Sequence, residues 1–473
     1  MSDDSLHILV FPWLAIGHML PFLEFSKSLA KRGHRITYIS TPRNIQRLRK
    51  IQPNLSPLIQ FLSFSLPSVE HLPETAESTR DIPPEKVQYL KKAFDGLEVP
   101  VSAFFKSACA DRSSRPDWVI MDFAHHWVPK IAEEYHVPCI FFSVFTAPSL
   151  VFFGPCSELL GEYRTSVKDF TVPPKWVPFP SNVAYRPYEA RVLLSSSDSG
   201  RNASGITDGE RFVSVINASK FVCLKSCHNL ESKWLSILPK LYEKDVMPVG
   251  LLPPSIDQSQ SEKGNKADGE LDVIDWLDRQ PVESVLYIAF GSEATLSIDL
   301  IQELALGIEL SKVRFLWAFR KPACISDDIR ILPDGFEERT KDVGVITGWV
   351  PQMKVLAHAS VGGFLTHCGW SSVVENFQFG HPLVQLPIFS DQGLNARILE
   401  EKKIGVAIPR DEETGNFSRE DVAKVVRIVM EEEEGKEIRH NAKKLKEVFT
   451  DQVSHEKHID EFVEKLMKFK LDH

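Results

Sequence analysis

HILVFPWLAIGHMLPFLEFSKSLAKRGHRITYIS, residues 7–40, decides the fold class. It opens with the apolar run His7–Phe11, of strand length, and passes through a turn. Phe22, Phe25 and Leu29 then follow at helical spacing up to Gly33, and Arg35-Ile-Thr-Tyr-Ile39 is again strand-like. Strand, helix and strand in that order form a βαβ unit, whose two strands run parallel. The alternation continues through Trp118–Met121, a helix near Val128 to Tyr135, and Cys139–Phe142. Between about 160 and 200 it dissolves into Pro-, Ser- and Tyr-rich sequence, read as loops and short helices over one face. Long loops of an α/β domain are usually where ligand specificity sits.

A break in composition follows at Pro248–Pro254 and in the polar stretch Ser255 to Gly269. The alternation then restarts with Ser284–Phe290, a helix near Ile298 to Leu310, and strands at Arg314–Ala318, Gly344–Ile346, Gly363–Thr366 and Pro382–Leu386. The expected organisation is an N-terminal domain over 1–250, a linker over 251–270, a second domain over 271–450, and a C-terminal helix over 451–473 packing back toward the N-terminal domain. The expected fold class is α/β, with two Rossmann-like parallel-sheet domains facing across a cleft. Ligands of such sheets collect at the carboxyl ends of the strands, so the loops after each strand are where chemistry belongs.

The chain has 473 residues, 43% of them hydrophobic, and 55 Lys and Arg against 64 Asp and Glu give a net charge of −9. This excludes disordered and collagen-like classes. The acidic balance argues against a general binder of nucleic acid or of anionic membranes, both of which are held by clustered cations. No stretch reaches the roughly 18 uninterrupted apolar residues of a spanning helix. Met1-Ser-Asp-Asp-Ser5 is acidic where a secretory leader is basic, so the expected location is the cytoplasm. Cysteines at 109, 139, 156, 223, 227, 324 and 368 read as reduced, mostly buried thiols.

Three constellations carry chemistry. Thr366-His-Cys-Gly-Trp-Ser-Ser-Val-Val-Glu375 follows a strand and opens a helix, whose first N–H groups and partial positive charge suit a diphosphate. There His367 offers a donor or a charge, Gly369 lets the backbone approach, and Ser371 or Ser372 offers a hydroxyl. Equally, Ser372 and Glu375 spell a capping box, which would make both structural. Trp349-Val-Pro-Gln352 ends a strand, where the indole either stacks on a flat base or packs in the core. Asp391-Gln392 pairs a carboxylate with an amide, suited to sugar hydroxyls or to a surface turn. Neither His-Glu-x-x-His nor a cation-holding Asp cluster occurs, so no metal is expected, and no Gly-x-Gly-x-x-Gly follows the first strand.

Together, the 44 residues from Trp349 to Gln392 closely resemble the donor-binding signature box of plant UDP-dependent glycosyltransferases. W-x-P-Q, His358, F-x-T-H-C-G-W, S-x-x-E, G-x-P and D-Q stand in register. The resemblance implies the GT-B fold, an inverting transfer, and a UDP-sugar as co-substrate with no further cofactor. It implies that Trp349 stacks on uracil, that the Val350 backbone reads its edge, and that Gln352 and Glu375 hold the ribose. His367, Ser372 and the Gly291–Ser292 loop would hold the diphosphate. Trp370, Asp391 and Gln392 would contact the sugar, with Thr146 as a further contact. Gln392 favours UDP-glucose. Ser371 departs from the family's usual Asn, which removes an amide contact and leaves the held sugar less determined.

The resemblance also implies catalytic roles: His18, directly after the first strand, as general base, and Asp122, at the end of Trp118–Met121, as the carboxylate that orients it. The acceptor is expected among aromatic N-terminal loops, with Phe123, His126, Trp127, Phe145 and Tyr188 as contacts. The opening Phe-Pro-Trp-Leu-Ala-x-Gly-His, Ser40–Asn44, Phe290–Glu293 and Phe379–Pro382 resemble the branch that extends sugars already on flavonoid or terpenoid glycosides. A glycoside acceptor is therefore expected, with three alternatives: a bare aglycone, UDP-rhamnose or UDP-xylose as donor, and a non-catalytic nucleotide-sugar sensor.

Overall fold

A computed structural model describes residues 5–161, 163–197, 202–254, 273–291, 293, 296–320 and 331–472. The polar stretch read as a linker lies almost entirely outside them, as do Ser292 and Cys324. The chain divides into two compact units, one comprising Met1–Thr165, Ser195–Leu252 and Asp451–His473, the other Ser166–Leu194 and Pro253–Thr450.

The first unit is built on seven parallel strands: β1 His7–Phe11, β2 Arg35–Ser40, β3 Ile59–Ser63, β4 Trp118–Met121, β5 Cys139–Ser143, β6 Val222–Leu224 and β7 Val246–Pro248. Their order is β3-β2-β1-β4-β5-β6-β7. Every residue of β1, β4 and β5 is buried, as the continuous apolar runs require of strands covered on both faces. Phe22, Phe25 and Leu29, from the helix Ile16–Ala30, enter the same core as Ile8 and Val10. The helix Gln452–Asp472 adds Ile459, Phe462 and Leu466 to it, with the Phe462 ring 5.1 Å from Phe25. Arg32 fastens that helix through a 2.6 Å ion pair with Asp460.

The second unit has six parallel strands: β8 Val285–Ala289, β9 Arg314–Ala318, β10 Gly344–Thr347, β11 Val361–Thr366, β12 Leu383–Gln385 and β13 Gly405–Ala407, in the order β10-β9-β8-β11-β12-β13. Its core joins Leu286 and Ile288 to Leu304 and Ile308 of the helix Ile298–Ser311 and to Val422 and Val426 of Arg419–Met430. The helix Lys436–Thr450 packs Phe449 on Phe377, 5.3 Å between rings, within this unit. The Pro- and Ser-rich segment Ser166–Leu194 also clusters here rather than with the sheet that precedes it in sequence. Ser181 Oγ donates to Glu401 at 2.7 Å, and the Arg410 guanidinium lies 4.6 Å over Tyr188.

Both sheets are doubly wound. In each, the strand order reverses beside the strand that starts the unit, between β1 and β4 and between β8 and β11. Loops leaving two such strands part to opposite faces and open a crevice at their carboxyl ends. Among the described residues no helix is long and apolar enough to cross a membrane, and no two cysteines form a disulfide.

Candidate active site

His18 is the third residue of the helix after β1, and Asp122 is the first residue after β4. The switch point of the first sheet therefore brings together two residues 104 positions apart. His18 Nδ1 lies 2.7 Å from Asp122 Oδ2, with the carboxylate almost fully buried and the imidazole 14% exposed. Asp122 Oδ2 also accepts the Trp13 N–H at 3.1 Å, and Oδ1 accepts the Phe123 N–H at 2.7 Å. Burial alone would raise the Asp122 pKa, but the His18 imidazole beside it, with help from His125 and the Trp13 N–H, holds it below the ordinary carboxylate value. An ionised carboxylate only accepts, so the His18 proton sits on Nδ1 and the lone pair on Nε2.

Phenylalanines surround the imidazole. Phe123 and Phe145 lie 5.7 and 5.8 Å from it, and Phe212 stacks on Phe123 at 5.0 Å. Phe153 closes the group, 5.7 Å from Phe145. Phe212 comes from the helix Asp208–Ala218 and carries no signal of the site in the sequence, since its spacing there fits an ordinary apolar helix face. Two expected acceptor contacts are engaged elsewhere. Trp127 is 4% exposed and packs against Phe11 and Phe94. His126 Nδ1 meets the buried Arg211 guanidinium at 3.0 Å, and Arg211 is paired with Asp95. Tyr188 lies in the second unit beneath Arg410, its hydroxyl donating to Glu189 at 3.2 Å. Thr146 is the N-cap of the helix Ala147–Phe153, accepting the Ser149 N–H at 3.2 Å.

The switch point of the second sheet is built from backbone. The helix Trp370–Phe377 starts right after β11, with Gly369 as its N-cap. Ser372 is therefore the third residue inside the helix and Glu375 the sixth, and the capping-box reading of that pair fails. The first turn directs N–H groups outward at this end. The His367 ring fits between two glycines: a Cβ at Gly369 would overlap Nε2, and one at Gly291 would lie 3.0 Å from Nε2 and Cε1. Gly291 has φ +72°, beside the undescribed Ser292. Burial pushes His367 down to about 4, so in the free protein it offers a ring N–H at neutral pH rather than a positive charge. Its Nδ1 has no hydrogen-bond partner among the described residues, and an oxyanion at the helix start would supply one.

Trp349, two residues after β10, is 43% exposed, which settles against core packing, while Val350 is buried. Gln352 bridges two strands' surroundings: its Oε1 accepts from the Tyr287 hydroxyl at 3.0 Å, and its Nε2 donates to Glu375 Oε2 at 2.6 Å. Trp370 and Gln392 are buried at helix starts. Gln392 Oε1 accepts the N–H groups of Ile388 and Phe389, at 2.9 and 3.1 Å, which points its amide nitrogen away from that turn. Asp391 accepts from Asn395 Nδ2 at 2.9 Å. Ser371 is half-buried in the first helical turn. Among the described residues no group of three His, Cys, Asp or Glu is placed to hold a metal ion.

Each sheet thus carries distinct chemistry at its switch point, a His–Asp pair in the first and a helix start beside a buried imidazole in the second. The family model described as UDP-glucoronosyl and UDP-glucosyl transferase matches residues 237–470. UDP-glycosyltransferase 91C1 of Arabidopsis thaliana is 44% identical over 98% of this chain and 96% of its own. Soyasaponin III rhamnosyltransferase of Glycine max is 42% identical over 99% and 97%. The structure of Phytolacca americana UGT2 complexed with UDP-2fluoro-glucose and pterostilbene superposes with a TM-score of 0.71 at 25% identity, covering 98% of this chain and all of the other. The chain belongs to the plant UDP-glycosyltransferases and has their GT-B fold.

Proposed function

We propose that this glycosyltransferase moves glucose from UDP-glucose to a hydroxyl on the sugar of a flavonoid or terpenoid glycoside, inverting the anomeric centre. The observation that carries the reading is the 2.7 Å pair of His18 and Asp122 at the switch point of the first sheet. A sugar hydroxyl is a weak nucleophile. His18 Nε2 takes its proton as the oxygen attacks the anomeric carbon, and the bond from that carbon to the β-phosphate oxygen breaks, its electron pair leaving with UDP. Asp122 stabilises the imidazolium and keeps the ring in the tautomer that can act as base. Phe123, Phe145, Phe153 and Phe212 offer apolar faces to whatever the acceptor presents at the imidazole.

On the donor side, Trp349 supplies a face for uracil and the Val350 backbone its edge. Glu375, with one oxygen engaged by Gln352, accepts from ribose hydroxyls. The helix start at Trp370 to Ser372 and the His367 ring N–H take the charge of the leaving diphosphate. Gln392 and Asp391 read the sugar, and Gln392 supports glucose. The soybean relative supports a second donor, UDP-rhamnose, and Ser371 removes the amide that would otherwise help decide between them.

A UDP-release assay crossing UDP-glucose, UDP-rhamnose and UDP-xylose with flavonoid and terpenoid aglycones and their monoglucosides tests this, with products weighed by mass spectrometry. Release that depends on a monoglucoside and UDP-glucose is the expected result. Release with aglycones alone refutes the glycoside acceptor, release with UDP-rhamnose alone replaces the donor, and UDP-sugar binding without any transfer supports a sensor.

A further inference from the structure

Asn395 occupies the fourth position of the helix Gln392–Glu401 and is fully buried. Its amide nitrogen donates twice, to the Cys368 carbonyl at 3.1 Å and to Asp391 Oδ2 at 2.9 Å. The two acceptors belong to different parts of the site. Cys368 lies between His367 and Gly369 in the loop that starts the helix Trp370–Phe377, and Asp391 is the N-cap residue of the helix Gln392–Glu401, with no side-chain cap bond.

Cys368 needs such support. Its φ of +65° is left-handed, unfavourable for a residue with a Cβ, and such a conformation persists where its surroundings over-determine it. Its N–H is held by Thr366 Oγ1 at 3.3 Å and its carbonyl by Asn395. The conformation turns the chain so that the His367 ring packs against Gly369. A primary amide has two hydrogens on one nitrogen, and both are used here. A hydroxyl has one, and a carboxylate has none.

We infer that Asn395 is a positioning residue that couples the two ends of the donor, fixing the diphosphate loop at Cys368 and the sugar-facing carboxylate of Asp391 against each other through one amide. The inference rests on the donor-site reading above.

Two substitutions test it. Asn395→Ala removes the amide, and Asn395→Asp keeps its volume while removing both donors and setting a carboxylate against Asp391. The expected result in each is a 10- to 100-fold rise in the KM for UDP-glucose, the cost of leaving a buried acceptor unpaired. The acceptor KM stays within about twofold of wild type. The preference for UDP-glucose over UDP-xylose narrows, and titration calorimetry shows UDP itself weakened less than UDP-glucose. A residue that merely stabilises the fold would lower the melting temperature and kcat while both KM values and the donor preference hold. That result, or wild-type donor kinetics in either variant, overturns the inference. If neither variant folds, Asn395→Ser, whose single hydroxyl hydrogen can serve only one of the two acceptors, carries the same readouts. A wild-type enzyme that binds neither UDP nor UDP-glucose would overturn the donor-site reading itself, which separates the two failures.

Discussion

The two sheets wind alike and put different chemistry at the same place. After the first strand of each unit comes His18 in one and Gly291 in the other. After the strand beyond the switch comes Asp122 in one, and His367 with Gly369 in the other. In the first crevice a buried carboxylate orients an imidazole and keeps its lone pair on Nε2. In the second, two glycines admit a neutral imidazole beside a helix start. A doubly wound sheet supplies the crevice and the converging strand ends. Whether that crevice moves a proton or holds an anion depends on a handful of side chains, and on where a Cβ is missing.

The comparison breaks if the roles are not separable. His18→Ala should lower kcat by on the order of 10² to 10⁴, the range for loss of a general base, with the dissociation constant of UDP unchanged by titration calorimetry. A variant that turns over normally would remove the base assignment, and one that loses UDP affinity would mean the first crevice also holds the donor. The reciprocal change is Trp349→Ala. Removing an exposed indole that stacks on a base costs about 1–3 kcal/mol, so the KM for UDP-sugar should rise by roughly 5- to 150-fold at nearly constant acceptor KM. An unaltered donor KM would return Trp349 to a surface role.

The second crevice is more legible in the sequence than the first. The proposed donor site lies within 44 consecutive residues, so the spacing of Trp349, Gln352, His367 and Glu375 is visible in one dimension. The partner of His18 is 104 residues away, and only a known family pattern joins them along the chain. Short strands are the weak part of the fold. β6, β7 and β13 are three residues each, too short to show a period, and β3 at Ile59–Ser63, at a sheet edge, buries only its first residue. Inward-facing aromatics mislead for a related reason. Phe123 and Trp127 are four apart in one loop, and composition cannot tell which ring faces the imidazole and which faces the core. Phe212 arrives from a helix that nothing in the local sequence ties to the site.

A histidine kept neutral by burial lies behind Asp122 in the first unit and at the helix start in the second, His125 pushed down to about 3 and His367 to about 4. Both pKa values fall on folding. Between the ordinary histidine value near 6.5 and these lower ones, the unfolded chain binds a proton that the folded protein does not. Stability is therefore complete above about pH 6.5 and declines as the pH falls toward 4. Replacing His367 by Gln removes one of these titrations. Between pH 7 and 4.5, the variant should lose about 2 kcal/mol less unfolding free energy than wild type, measured by urea denaturation at the two pH values. Parallel losses in the two proteins would mean that His367 is protonated as readily folded as unfolded, and that its role at the helix start includes a charge after all.

The smallest expected effect sharpens the acceptor side. Phe212 stacks on Phe123, which is bonded through its N–H to the carboxylate that orients His18. Phe212→Leu keeps an apolar side chain and removes the ring face. An aromatic contact of this kind is worth about 0.5–1.5 kcal/mol beyond its area, so the acceptor KM should rise by roughly 2- to 10-fold, with the donor KM and the pH profile of kcat unchanged. Ring-bearing acceptors should lose more than acceptors that present an aliphatic group to the imidazole. A shift in the pH profile instead would show that the Phe212–Phe123 stack acts through Asp122, setting the geometry of the base rather than the surface of the acceptor.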